Sequence, residues 1–256
     1  MHQSDASLVY ASKITGNCVM INQCDRENYA EYPTEKGTVR MFSTTQRGLT
    51  KSRNEAIRKA KADICLLADD DEIFVPGCEE AILAAYEKLP DADVVAFRVT
   101  GIPRFLGQEV LRIRFPNTMK LSSVQISFRR ENLLKSGVLF DELLGAGTGN
   151  GAEEELKFLT DCERAGLKIY YVPAEIASVA QEESTWFGGF TEVFFENRGA
   201  TTRYILGFPT ASLYAFYYVF TKKSIYQKDI TLLKALLATF RGIFKNKITK
   251  QKRQKG

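Results

Sequence analysis

Four acidic residues stand together in "LLADDDEIFVPG" (66–77), directly behind an apolar run: Asp69, Asp70, Asp71 and Glu72. Ionised carboxylates this close repel one another, so the grouping costs free energy unless a cation relieves it. Carboxylate oxygens suit a hard divalent cation such as Mg²⁺ or Mn²⁺, which substrate phosphates help to hold. The cluster therefore predicts a metal site, and a solvated acidic turn is the alternative.

Apolar runs alternate with helical patterns around this cluster. Strands are predicted over residues 18–22, 38–42, 63–68 and 93–99, and helices over 48–62 and 76–89. Such alternation is typical of βαβ units and of a mostly parallel sheet in an α/β fold. Ligands of open α/β sheets bind beyond the carboxyl ends of the strands, which is where the acidic cluster stands.

The second half of the chain has a second acidic group. A hairpin is predicted over 102–115, a strand over 124–130, and two late strands in "KIYYVP" and "IASVA". A glycine-rich loop precedes them and leads into a helix that ends at Gly166. Glu153, Glu154 and Glu155 stand at the start of this helix. Acidic residues there are stabilised by the helix dipole, so the triplet alone does not require a catalytic role.

Two blocks, "GLTKSRNEAIRKAKADICLLADDDEIFVPG" and "GAEEELKFLTDCERAGLKIYYVP", together resemble the family 2 glycosyltransferases. The first block matches the family's arginine-bearing helix, apolar strand and Asp-x-Asp element, and the second matches its acidic helix and following strand. The resemblance covers roughly residues 15–190. It implies the GT-A fold, a Rossmann-like, mostly parallel mixed sheet flanked by helices. It also implies a nucleoside-diphosphate sugar as donor and Mg²⁺ or Mn²⁺ as cofactor.

The resemblance assigns roles within the first block. The Asp-x-Asp element of such enzymes holds a divalent cation against the donor diphosphate, which relieves the repulsion among the carboxylates. By position Asp71 and Asp69 are the metal ligands, and Asp69 and Asp70 lie near the nucleotide. Arg53 resembles a helix arginine beside the nucleotide. The alternative for Arg53 is a salt bridge with Glu55 or with the acidic cluster.

The resemblance also assigns the catalytic base. Glu155 matches the acidic residue that usually takes the proton of the acceptor hydroxyl, and Glu154 is its neighbour in the motif. The hydroxyl then attacks the anomeric carbon opposite the departing nucleoside diphosphate, so the configuration inverts. The implied function is inverting transfer to a saccharide or lipid-linked saccharide in surface polysaccharide synthesis. The alternatives are a nucleotidyltransferase of related fold and a non-catalytic membrane-bound scaffold.

Some positions depart from the family pattern. Many members carry a histidine as an additional metal ligand, whereas the only histidine here is His2. Glu182 or Glu183 stands in the corresponding region and is a substitute ligand. "NQCD" replaces the usual acidic motif after the second strand, so Asn22 is placed near the position that reads uracil and Asp25 just beyond it.

The start of the chain lacks the apolar first strand that this fold requires. We therefore expect Met1 to be an internal methionine of a longer protein, with a strand of usual length in about 5–15 preceding residues. If no such strand exists, "SLVYA" (7–11) has to serve in its place.

The end of the chain is basic. Eight Lys or Arg and no acid follow from Ile230, whereas the preceding part has 27 bases against 31 acids. Residues 204–220 are uncharged, but 17 residues are at the lower limit for crossing a bilayer. "ITLLKALLATFRGIFKNKI" groups Leu and Phe apart from Lys and Arg, which predicts a helix lying in a membrane surface. A helical cap packed on the domain is the alternative.

These patterns divide the chain into a GT-A domain over residues 1–190 and a helical, basic, membrane-associating extension over 191–256. The five cysteines are scattered and form no C-x-x-C pair, which suits a reducing cytoplasm. The expected partner of the extension is an anionic membrane surface, and no nucleic acid partner is expected. The predicted location is cytoplasmic, peripheral on the inner face of the cell membrane.

Overall fold

The structure, a computed structural model, describes residues 2–102, 106–148, 150, 153–179, 188–245 and 248. The strands are β1 (Cys18–Gln23), β2 (Asn28–Pro33), β3 (Thr38–Thr44), β4 (Ile64–Leu66), β5 (Glu72–Phe74), β6 (Val94–Thr100), β7 (Leu111–Ile113), β8 (Ile126–Arg129) and β9 (Ile169–Val179). The helices are α1 (Ser7–Ala11), α2 (Leu49–Lys59), α3 (Cys78–Lys88), α4 (Arg130–Ser136), α5 (Glu154–Arg164), α6 (Glu192–Leu206), α7 (Phe208–Thr221), α8 (Lys223–Tyr226) and α9 (Leu232–Lys245). Two short 3₁₀ helices cover Asn117–Lys120 and Ser123–Gln125.

The strands form two mixed sheets. One has the order β1-β3-β2, and the other has the order β4-β8-β6-β9-β5 with β7 added beside β9. Among the described strands only β1–β3 and β6–β9 pair in parallel, and the other five pairs are antiparallel. The mixed α/β architecture is confirmed, but the expectation of a mostly parallel sheet is wrong. Short connections such as the turn from β2 to β3 return the chain in the antiparallel sense, which needs no helical crossover.

Two further local predictions, for residues 168–179 and 7–11, are wrong. "KIYYVP" and "IASVA" belong to one strand, β9. The register with β6 shifts between Phe97 and Arg98, so Pro173 lies at an irregularity and β9 continues past it. The predicted hairpin over 102–115 includes residues 103–105, which lie outside the described residues, and its described strand, β7, pairs with β9. "SLVYA" is the helical segment α1, so it does not serve as a strand.

The central strand β6 is buried on both faces. Val94 and Ala96 face one apolar cluster, together with residues of α2, α4 and α5. Val95 and Phe97 face the other, together with residues of α3. The alternation follows from the period of two in a strand, and it explains why this segment reads as a continuous apolar run. Burial on both faces holds β6 at the centre of its sheet. The strand β4, which precedes the acidic cluster, belongs to the same sheet.

The chain divides into two compact units by its internal contacts. The sheet unit comprises residues Met1–Phe140 and Glu155–Gln181, and the helical unit comprises Asp141–Glu154 and Glu182–Gly256. The predicted boundary between a GT-A domain over residues 1–190 and a membrane-associating extension over 191–256 stays a prediction.

In the helical unit, α6 and α9 pack closely through two glycines. An added Cβ at Gly199 would lie 2.0 Å from the Thr239 carbonyl oxygen, and one at Gly242 would lie 1.9 Å from the Glu196 oxygen. The uncharged stretch 204–220 is broken at Gly207, which separates α6 from α7. None of the helices in the described ranges combines the length and apolarity needed to cross a membrane.

Candidate active site

The acidic cluster lies beyond the end of β4, as the sequence predicted. The Leu67 N–H donates to the Ile126 carbonyl oxygen at 2.9 Å, which holds the chain against the sheet just before the cluster. Asp69 is half-buried, Asp70 and Asp71 are exposed, and Glu72 is buried as the first residue of β5. The four carboxyl groups therefore have different environments, although they are consecutive in sequence.

Arg53 projects from α2 and pairs with the first of these acids. Its Nη2 donates to Asp69 Oδ1 at 2.8 Å and to Oδ2 at 3.2 Å, and also to Ser123 Oγ at 2.9 Å. The Arg53 side chain is buried. A buried ion pair needs such additional hydrogen bonds to offset the cost of desolvation. In this structure, the salt bridge of Arg53 is with the acidic cluster.

Glu72 is the least solvated member of the cluster. Its Oε2 accepts from the Asp69 N–H at 2.8 Å, and its Oε1 is buried with no hydrogen-bond partner. Burial, with smaller contributions from Asp69 and Asp71, raises the pKa of Glu72 to about 9. Glu72 is therefore protonated at neutral pH. The repulsion in the cluster is relieved by Arg53 at Asp69 and by protonation at Glu72.

The acidic cluster offers carboxylate oxygens to a divalent cation. Within the described ranges, no three side chains of His, Cys, Asp or Glu already form a metal site. Mg²⁺ and Mn²⁺ are commonly held by one or two carboxylates together with substrate phosphates, so a complete protein cage is not required. The carboxylates of Asp71 and Asp69, beside the orphaned Glu72 oxygen, fit such a cation in chemical type.

The second acidic group stands at the start of α5. Glu154 is buried, Glu155 is half-buried, and the boundary between the two units falls between them. Glu153 has a φ of 70°, which is uncommon for a residue with a side chain. In the helical unit, Arg198 Nη1 lies 2.8 Å from Glu153 Oε1 in a largely buried ion pair. The pair holds the turn that leads into Glu154.

Two residues of these networks were missed by the sequence analysis. Ser123 precedes β8 in a polar segment, and Arg198 stands in the first half of α6, three residues after Phe195. Arg198 donates to the Tyr214 hydroxyl at 2.8 Å and lies 4.2 Å from the centre of the Tyr218 ring. α6 carries four charged residues, so no signal in its sequence singled out Arg198.

Asn22 and Asp25 lie at and beyond the carboxyl end of β1. Asn22 Nδ2 donates to the Gln3 carbonyl oxygen at 2.8 Å and to Ser43 Oγ at 3.1 Å, and Oδ1 accepts from the Gln3 N–H at 2.9 Å. Both amide hydrogens are thus used, which leaves one acceptor site on Oδ1. Asp25 is exposed, with Oδ1 4.0 Å from His2 Nε2.

A packed path within the sheet unit joins the acidic cluster to α5. Asn54, the neighbour of Arg53, exchanges two hydrogen bonds with the Phe140 backbone at 2.9 and 2.8 Å. The Arg53 guanidinium lies 5.4 Å from the centre of the Phe140 ring, and that ring stacks on Phe158 of α5 at 4.3 Å.

The alternative metal ligands Glu182 and Glu183 lie outside the described residues.

Part of the chain matches a known protein family. The model for "Glycosyl transferase family 2" matches residues 20–141, just under half of the chain. Residues 20–141 form a family 2 glycosyltransferase domain. The domain includes Arg53, Asp69 and Asp71, whereas Glu154 and Glu155 lie beyond the match. The family resemblance is thereby confirmed. No curated protein matched the chain.

Solved structures match the fold of the family 2 domain. TarS 1-349 of S. aureus superposes with a TM-score of 0.55 at 15% identity, over 78% of this chain and 62% of that one. TarS 1-349 in complex with UDP-GlcNAc gives 0.55 at 16% identity, over 74% and 58%. The complex with UDP gives 0.52 at 16% identity, over 72% and 54%. The chain thus spans less than two thirds of these structures, and the match supports the GT-A fold.

Proposed function

We propose that the chain is an inverting glycosyltransferase that moves a sugar from a nucleoside-diphosphate sugar to a saccharide or a lipid-linked saccharide. The observation that carries this proposal is the family 2 match over the segment that holds the Arg53–Asp69 pair and Asp71. Two of the similar TarS structures are complexes with UDP-GlcNAc or UDP, so a uridine diphosphate sugar is the first donor to test.

The donor is proposed to bind at the end of β4. Asp71 and Asp69 would hold Mg²⁺ or Mn²⁺, which neutralises charge on the departing diphosphate. Asp70 is exposed beside them and is available to the nucleotide. Arg53 holds the carboxylate of Asp69 in place, since both Asp69 oxygens accept from its Nη2.

A further part of the nucleotide site is proposed to involve Asn22, which is fully buried, and Asp25. Because Asn22 has only an acceptor site left, it suits the N–H of a uracil ring. Asp25 is exposed at the same strand end.

The general base is proposed to be Glu155, with Glu154 as the alternative. Glu155 is the more accessible of the two, and a base must come within hydrogen-bond reach of the acceptor hydroxyl. The base takes the hydroxyl proton as the oxygen attacks the anomeric carbon, and the nucleoside diphosphate leaves from the opposite face. Glu153 and Arg198 fix the turn before these residues through their ion pair.

The chain is further proposed to work in the cytoplasm, peripherally on the inner face of the cell membrane. The basic, apolar C-terminal region supports this location. A lipid-linked acceptor of surface polysaccharide synthesis would be presented at that surface.

The first test is donor hydrolysis by the full chain with a panel of nucleotide sugars and Mn²⁺. A glycosyltransferase releases a nucleoside diphosphate from the nucleotide sugar. A nucleotidyltransferase instead forms pyrophosphate from a nucleoside triphosphate and a sugar phosphate, which are supplied in a parallel reaction, and a scaffold forms neither product. Asp71→Ala is expected to abolish the release while circular dichroism stays unchanged, because a metal ligand is lost at an exposed position. An Asp71→Ala protein that is active without Mn²⁺ would contradict the proposed metal site.

A further inference from the structure

Two neighbouring helices of the helical unit expose large apolar side chains at the same spacing. Leu213, Phe216 and Phe220 of α7 and Leu237, Phe240 and Phe244 of α9 each stand at positions i, i+3 and i+7, which places each set on one helix face. We call these six residues the apolar ridge. Phe240 is half-buried and the others are exposed, with Leu213 at 72% and Phe244 at 70%.

Ring contacts join the two sets into one surface. The ring centres of Phe216 and Phe240 are 5.2 Å apart, those of Phe216 and Phe220 are 6.4 Å apart, and those of Phe240 and Phe244 are 6.3 Å apart. Soluble proteins rarely expose large continuous apolar patches unless something covers them. The ridge therefore indicates a binding surface.

The same helices bury their small side chains. Ala211 and Ala215 are buried on α7, and Ala238 and Gly242 are buried on α9. A helix that caps a domain normally turns its large apolar residues inward and its polar residues outward. Val219 of α7 and Ile243 of α9 are buried as well, but the ridge residues apart from Phe240 lie outside this packing.

Positive charge borders the ridge. Arg241 and Lys245 each follow a ridge phenylalanine by one residue, so they stand about 100° around α9 from it. They pair with Glu192 and Glu196 of α6, which balances their charge, whereas Lys234 of α9 is exposed and stands three residues before Leu237, on the border of the same face. Over residues 222–245 there are six Lys or Arg and one acid, whereas residues 208–221 have no charge.

We propose that the apolar ridge inserts into the interfacial layer of an anionic lipid bilayer, with the bordering bases on the headgroups. This inference rests on the membrane association within the proposed function and identifies the surface responsible for it. An apolar face with a basic border fits this partner, since buried apolar area and attraction to anionic lipid both contribute to binding. A truncation at residue 230 would remove α9 and expose the surface of α6 on which it packs. Point substitutions in the apolar ridge avoid this effect and are the cleaner test.

The test is co-sedimentation of the full chain with vesicles of phosphatidylglycerol and phosphatidylcholine, and with vesicles of phosphatidylcholine alone. The wild type is expected to bind the anionic vesicles. Leu213→Ser/Phe244→Ser is expected to weaken that binding by about tenfold or more, since two large apolar contacts are lost. The matched control is Leu83→Ser, which removes an exposed leucine (52%) from α3 and should bind as the wild type does. Donor hydrolysis and thermal unfolding of each variant show whether it is folded.

Each outcome decides the proposal. If the wild type and the double variant bind the anionic vesicles equally, the apolar ridge is not the membrane-binding surface, although the chain still associates with membranes. A wild type that binds no vesicles overturns both, and the donor hydrolysis assay still tests the transferase separately. A wild type that is dimeric in solution, and a double variant that is monomeric, would assign the ridge to a second copy of the chain and overturn the lipid proposal.

Discussion

Nη2 of Arg53 donates to both carboxylate oxygens of Asp69, at 2.8 and 3.2 Å. One residue at the middle of a helix thereby fixes the first carboxylate of a cluster that follows a strand. Asp69 is oriented by the protein itself, whereas Asp70 and Asp71 stay at the surface. The cluster thus has a charge-balanced base at Asp69 and an exposed acidic edge at Asp70 and Asp71, where we propose that a donor phosphate and its cation bind.

Loss of Arg53 should destabilise the sheet unit, because Asp69 would lose its charged partner. Arg53→Met is expected to lower the free energy of unfolding by about 3 kcal/mol, as for other broken buried ion pairs. Arg58→Met, on the same helix and exposed, should change it by less than about 0.5 kcal/mol. Urea unfolding followed by circular dichroism gives both values.

A double-mutant cycle separates the pair from its surroundings. Asp69→Asn should cost less in the Arg53→Met background than in the wild type, because the interaction is already absent. Equal costs in the two backgrounds would show that the two side chains do not interact in solution.

Glu155→Gln is expected to lower turnover by about 10²–10⁴-fold, because the amide cannot accept the hydroxyl proton. Binding of the nucleoside diphosphate, measured by calorimetry, should be nearly unchanged, since the base acts on the acceptor. Glu154→Gln is the matched comparison from the adjacent position. If Glu154→Gln is the inactive variant, the base is Glu154, and if both are active, neither residue is the base.

The pH dependence of stability should report on Glu72. Its pKa is about 9 in the folded chain against an ordinary value of 4.5, so between these values the folded state holds a proton that the unfolded state has lost. Stability therefore falls as the pH rises from 4.5 to 9, by about 1.4 kcal/mol per pH unit, and the loss at pH 7 is on the order of 3 kcal/mol.

Glu72→Gln should remove this loss, so the variant is expected to be more stable than the wild type at pH 8 and to show a flatter profile from pH 5 to 8. Thermal unfolding in EDTA keeps divalent cations out of the comparison. Glu87→Gln, an exposed position on α3, is the control and should leave the wild-type profile in place. A Glu72→Gln profile parallel to that of the wild type would show that Glu72 is already ionised in the folded protein.

Gly242→Ala should destabilise the helical unit by about 1–3 kcal/mol, because its Cβ would lie 1.9 Å from the Glu196 oxygen and the two helices would have to separate. In an exposed helix the same change stabilises by about 1 kcal/mol, so the sign of the effect is diagnostic. Gly188→Ala, whose Cβ meets no atom within 4 Å, is the control. Thermal unfolding of both variants gives the comparison, and a more stable Gly242→Ala protein would contradict the close packing of α6 and α9.

The sequence by itself determined the α/β alternation, the position of the acidic cluster after β4 and the family. These features depend on local periodicity and on residue types at short spacing, which a single chain displays directly. The predicted helix over 48–62 and the strands over 18–22 and 38–42 all appear in the structure within a few residues. The pairing directions were not predictable in the same way, because they depend on which distant segments meet.

Only the tertiary structure decided how the four acids differ. Asp69 is paired because α2 brings Arg53 to it, and Glu72 is protonated because the sheet buries it. Neither burial nor a partner 16 residues away can be read from four consecutive acids. The outward direction of the large side chains on α7 and α9 was likewise set by tertiary packing. The amphipathic pattern of α9 has one apolar face that can pack inward or face outward, and the glycine contact with α6 selects the small-residue face as the inner one.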